Sequence, residues 1–153
     1  MKIDNKDFAS LVETWVLLEI ESAKRAAQRR TIEDIEAIRR AQKIYADKVK
    51  MNEIAVEEDM MFHLAISDAG KNAALKSLLL TIMPDIIKKI IQIDIYKNVR
   101  AVSIIVEHEE ILSNIIDQEP EKAASTMQRH LSDILTYSRR FGTQNGNGSN
   151  GVH

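Results

Sequence analysis

Cysteine is absent from the 153-residue chain, which removes disulfides, thiol nucleophiles and thiolate metal ligands from consideration. Proline occurs only at Pro84 and Pro120, and four of the five glycines fall in the closing "GTQNGNGSNGVH", leaving Gly70 alone in the body. So little punctuation points to long helices joined by short turns. Aromatic residues make up 5%, so a core must be built from aliphatic and methionine side chains. Neither sign of charge dominates: 21 Lys and Arg stand against 23 Asp and Glu, and the chain as a whole has no electrostatic claim on nucleic acid. Long hydrophobic runs are missing too. The early "LVETWVLLEI" is broken by Glu13 and Glu19; it reads as no signal peptide and falls short of the roughly 20 residues a membrane span needs. A cytoplasmic protein is expected.

What is present suits a single globular domain: 44% hydrophobic and 29% charged residues, in a length that buries one core. Apolar positions recur at helical spacing and no stretch alternates as a strand would. The pattern predicts an all-α antiparallel bundle of about six helices over residues 1–141, followed by a flexible polar tail, 142–153. The first helix runs from about Lys6 to Arg29. "TIED" is a capping box with Thr31 as N-cap and Asp34 in the acidic position, and it opens a second helix toward Lys50. A third spans about Asn52 to Ala69 and stops at Gly70. Asn72 caps a fourth, reaching to Lys97, which Pro84 should kink or split. A fifth covers about Val99 to Asp117, and Pro120 suits the first turn of a sixth that continues to Arg140. The fourth helix is apolar on more than one side, through Leu78, Leu79, Ile82, Ile86, Ile87, Ile90, Ile91 and Ile93. Such a helix belongs at the centre of the fold or beneath another subunit.

Asp59 and His63 lie one turn apart beside the apolar positions Val56, Phe62 and Ile66. His108 falls among Ile104, Ile105, Ile111 and Ile115, and His130 among Met127, Ile134 and Tyr137. Taken singly, each histidine reads as a core imidazole satisfied by a carbonyl or a water. Together, a carboxylate and three imidazoles turned inward from three helices are costly to bury, and a divalent cation would meet all four demands. One oxygen and three nitrogens suit zinc first, with nickel, iron or manganese as alternatives, and leave positions open to a ligand.

The residues that carry this pattern also resemble a known family. "DMMFH" (Asp59 to His63), Asn72 at the next helix, "EHEEIL" (Glu107 to Leu112) and "MQRHL" (Met127 to Leu131) are similar to the effector-binding FCD domain of the FadR branch of GntR-type transcriptional regulators. The likeness extends from about Leu11 to Tyr137. It implies a helical bundle, usually dimeric, that senses a small organic acid or sugar acid, often through a metal held by Asp59, His63, His108 and His130. Two departures accompany it. The winged helix-turn-helix that precedes the sensing domain in such regulators is not expected within this chain, so DNA would be reached only through a separate reader. Trp15, in "ETW", also stands where many relatives have an arginine facing the ligand. Trp15 is then either a core aromatic or an apolar wall of the ligand site.

Sensing is therefore the leading expectation, and no enzyme is expected. The runner-up is a metal-dependent hydrolase using a metal-bound water, with Glu107 or Glu109 imagined as its base. No His-Glu-x-x-His motif or nucleophile constellation supports that alternative. A purely structural bundle with satisfied core histidines is the third reading.

Overall fold

The computed structural model describes residues 5–93 and 98–144. Among the described residues every regular element is a helix, and there are seven: α1 (Asn5–Arg29), α2 (Ile32–Lys50), α3 (Val56–Ala69), α4 (Ala73–Ile93), α5 (Asn98–Ile116), α6 (Pro120–His130) and α7 (Ser132–Gln144).

The expected helix starts are built as the residue types require. Thr31 makes both bonds of the capping box: its hydroxyl accepts from the Asp34 N–H at 3.1 Å, and Asp34 Oδ2 accepts from the Thr31 N–H at 2.8 Å. Asn72 Oδ1 accepts from the Leu75 N–H at 3.0 Å, and Pro120 stands in the first turn of α6. Pro84 does not divide α4.

Four details differ from expectation. α3 begins at Val56 rather than near Asn52, because Asn52 takes a left-handed φ of 59° and closes α2. The Asn52 N–H then reaches the Val49 carbonyl at 3.0 Å, and the Glu53 N–H reaches that of Lys48 at 3.1 Å. Gly70 ends α3 on schedule but with a right-handed φ of −74°; the left-handed residue is Lys71, at 57°. Gly70 is instead a point of close approach, since a Cβ there would lie 3.3 Å from Arg25 Cβ on α1.

The single last helix is in fact two, broken at Leu131. The His130 carbonyl accepts from Arg100 Nη2 at 3.2 Å, and the Arg129 carbonyl accepts from Ser132 Oγ at 2.7 Å, so the closing carbonyls of α6 find partners outside its own ladder. α7 continues past Gly142 to Gln144, shortening the expected tail. Residues 145–153, and the expected end of the fourth helix over 94–97, lie outside the described residues.

The centre of the bundle is α1, not the more hydrophobic α4. α1 packs against α3, α4, α5, α6 and α7, while α2 packs on α3 and α5. Phe8, Val12, Trp15, Val16, Ala23, Ala26 and Ala27 are buried along α1, the alanines letting neighbouring backbones come close. α4 lies on α3 and α1 and buries Leu75, Leu79, Met83, Ile86 and Ile90. Leu78, Leu80 and Ile91 remain about half exposed. No helix among the described residues is long and apolar enough to cross a membrane.

The capping box gives a stability test. Thr31→Ala removes an exposed cap without touching the core, and is expected to cost about 1 kcal/mol and lower the melting temperature by about 2–4 °C. An unchanged thermal melt would mean that the cap contributes nothing to α2.

Candidate metal centre

α3 carries Asp59 and His63 one helical turn apart, α5 carries His108, and His130 is the last residue of α6. All four side chains are buried, and one ligand atom from each lies within 4.8 Å of every other. The four residues that helical spacing singled out are therefore brought together. His63 and His130 stack at 5.4 Å between ring centroids, with His108 edge-on to both. Phe62 stacks on His108 at 3.8 Å and 13°, which sets the plane of that ring.

The hydrogen bonds decide which ring atoms face one another. Each Nδ1 points outward to a partner on another helix: His63 to Glu19 Oε2 at 2.9 Å, His108 to Gln42 Oε1 at 2.6 Å, His130 to Glu107 Oε1 at 2.6 Å. Each Nε2 points inward and makes no hydrogen bond, and neither does either oxygen of Asp59. Gln42 fixes the protonation of His108. Its amide nitrogen donates to the Ile105 carbonyl at 3.1 Å, so its oxygen must be the atom facing His108, and His108 Nδ1 must be the donor. In the neutral ring this leaves a lone pair on His108 Nε2, only 2.9 Å from Asp59 Oδ1. Two acceptors this close, sealed from water, repel unless a cation joins them.

In the metal-free site the titration is governed by burial and by these close partners. Burial acts to raise the Asp59 pKa, but the facing imidazoles of His108 and His63 outweigh it and hold the carboxyl well below its usual range. Burial pushes the His108 imidazole down to about 4, against the pull of Asp59. For His63 burial is outweighed by Glu19 and Asp59 on either side, and its pKa rises to about 10. Burial likewise opposes, and His130 and Arg100 overcome, the shift that takes Glu107 down to about 2. A divalent ion would bring positive charge to the buried Asp59 carboxylate and take the place of the proton on His63. Three imidazole nitrogens and a carboxylate oxygen, each ring held by an outer partner, form a donor set that fits such an ion.

Trp15 is fully buried. Its ring centre lies 6.0 Å from that of His63, and its indole N–H donates to Glu19 Oε1 at 2.9 Å. Of the outer partners, Glu107 stands out in the sequence within the "EHEEIL" motif, whereas Glu19 and Gln42 carry no such signal. Glu19 reads as an interruption of an apolar run, although it continues the inner stripe of Val12, Trp15 and Val16. Gln42 sits among the buried Ile35, Ile38, Tyr45 and Val49 of α2, which marks it as an inward polar group. Glu107 holds His130 and Arg100, while Glu109 is exposed as a solvated surface charge.

Fold and site together define a helical bundle that gathers three histidines and one carboxylate from three helices in its interior. The FCD domain family model matches residues 10–133, and the chain belongs to that family. A similar protein is the HTH-type transcriptional regulator LutR of Bacillus subtilis (strain 168), 29% identical over 133 residues. The match covers 84% of this chain but 61% of that relative's length.

Two measurements follow from the donor set. His108→Ala should reduce bound divalent metal from about one ion per chain to near none, read by elemental analysis of protein with unchanged circular dichroism; full metal content would contradict the assignment. At pH 8 the raised His63 is still protonated, so metal uptake should release about one proton per ion from it, and affinity should fall as pH falls. In metal-free protein the sign is opposite. The His63 contribution to stability is complete below its unfolded pKa near 6.5 and is lost as pH rises through about 10. Metal uptake without proton release, measured with an indicator dye in weak buffer, would contradict the His63 assignment.

Proposed function

We propose that this domain senses a small organic acid or sugar acid at a divalent metal ion held by Asp59, His63, His108 and His130, and thereby controls DNA binding by a reader domain in the intact regulator. The observation carrying the metal reading is the set of inward, hydrogen-bond-free atoms: three Nε2 and both Asp59 oxygens. Zinc suits the donor set best, and nickel, iron and manganese are compatible. The ion supplies a Lewis-acidic contact for a carboxylate or hydroxyl of the effector. The protein's own groups do the rest: Glu19, Gln42 and Glu107 hold the rings, and the buried helices exclude competing water. The Trp15 ring forms an apolar wall on the α1 side, so an effector meets no guanidinium there.

The regulatory part rests on family membership and on the relative's description as a helix-turn-helix regulator. Because the chain spans 61% of that relative's length, the winged helix-turn-helix reader is assigned to the part of the relative that this chain does not match. An effector acts there only by favouring one arrangement of the helices over another, which would change the spacing of two readers on DNA half-sites. Such a regulator works in the cytoplasm as a homodimer. The face available for pairing lies between α3 and α4, where Met61, Leu80 and Ile91 are exposed beside a groove of about 410 Å³ lined by Leu64, Met83 and Ile87. A hydrolytic role is disfavoured because Glu107, the carboxylate nearest to a base, is committed to Arg100 and His130.

Metal and effector should act together. A small carboxylate at a hundredfold excess over its Kd should stabilise the metal-loaded domain by about 2.7 kcal/mol, with most of that gain lost on chelation. Equal thermal shifts with and without metal would sink the metal-anchored mechanism. The isolated chain should show no sequence-specific DNA retention at physiological salt, given its balanced charge; specific retention in a mobility-shift assay would overturn the need for a separate reader.

A further inference from the structure

Each of the three outer partners is itself anchored by another group. Gln42 donates to the Ile105 carbonyl at 3.1 Å. Glu107 is gripped by Arg100, whose Nη2 lies 3.0 Å from Oε1 and whose Nη1 bonds Oε2. For Glu19 the anchor is Trp15, one turn earlier on α1, donating at 2.9 Å to the carboxylate oxygen that His63 does not use. Trp15, Glu19 and His63 are all sealed from solvent.

We propose that Trp15 is a positioning residue for the metal centre: its indole N–H fixes Glu19, and Glu19 fixes the imidazole of His63. α1, which supplies no ligand, is thereby tied to the bound ion. The physical argument concerns the second carboxylate oxygen. A buried carboxylate with one oxygen unbonded carries the full cost of desolvating it, and rotation about its last side-chain bond is soft. The indole N–H can only donate, so it satisfies that oxygen without competing for the proton on His63 Nδ1. With both oxygens held, the direction of His63 Nε2 is set from outside the coordination sphere. The central helix of the bundle thus registers whether His63 is a metal ligand, which makes α1 one route by which occupancy reaches the rest of the chain.

This role rests on the metal reading above, and one set of titrations separates the two. Zinc affinity is measured on the full chain by competition with a chromophoric chelator. Trp15→Phe keeps most of the ring volume and removes the N–H, and should weaken zinc binding about fivefold; Glu19→Gln should weaken it about tenfold or more. In the Glu19→Gln background, Trp15→Phe should add no more than about a twofold loss, because the link is already broken. Cobalt-loaded Trp15→Phe should also show shifted visible bands, which loss of packing alone would not produce.

Trp15 is the only tryptophan, so its emission reports on the same link with the native residue in place. Zinc should change that emission in the wild type, and the change should vanish in zinc-loaded Glu19→Gln. Wild-type affinity in Trp15→Phe, an equal fall in both backgrounds, or an emission change that survives Glu19→Gln would overturn this role while leaving the centre intact. A wild-type chain that takes up no zinc would overturn both.

Discussion

A carboxylate closed off from water and pressed against two imidazole nitrogens, at 2.9 and 3.3 Å, is the constraint around which this bundle is arranged. Asp59 has that environment, and no apolar packing around it offsets the cost of leaving it so. A divalent ion would remove the conflict and give the three Nε2 atoms a common partner. α3, α5 and α6 each bring a candidate donor to one point, while α1, α2 and α5 supply the groups that turn the rings.

The outer layer explains why the donors are buried on helices rather than carried on loops. Glu19, Gln42 and Glu107 each reach one ring from a helix different from that ring's own. A change at this cluster would therefore be felt on several helices at once. Packed helices have few intermediate arrangements, so small displacements at the site can be expressed as a change between discrete packings. The break between α6 and α7 belongs to the same network. Arg100 holds Glu107, donates to the His130 carbonyl, and lies 2.9 Å from Asp133 in the first turn of α7.

Much of this was legible in the sequence, and the parts that were not share a cause. Asp59 and His63 announce themselves because one helical turn places two costly groups on an apolar side. His108 and His130 do so because their stripes are otherwise aliphatic. The ends marked by Thr31, Asn72 and Pro120 depend on bonds within three or four residues, and they stand as expected. At the break, the His130 carbonyl is held by Arg100, thirty positions earlier, and no local pattern records that contact. For α4 the sequence leaves two places open, central or beneath another subunit, because hydrophobicity does not distinguish a helix buried on several sides from one with an uncovered apolar face. α1 looked less central because Glu19 and Ser22, both buried, lower its apparent apolar character. Glu19 and Gln42 were passed over for the same reason: a polar residue at an inward position looks like surface until its partner on another helix is known.

The central claim is that one carboxylate and three imidazoles hold a single ion. X-ray absorption at the metal edge of the zinc-loaded chain tests it most directly, because it counts and types the atoms around the ion without reference to stability or effector. The account predicts a first shell of nitrogen and oxygen containing three imidazoles, recognised by the outer-shell scattering of their rings. A shell of oxygen alone, or one with no more than a single imidazole, would contradict it.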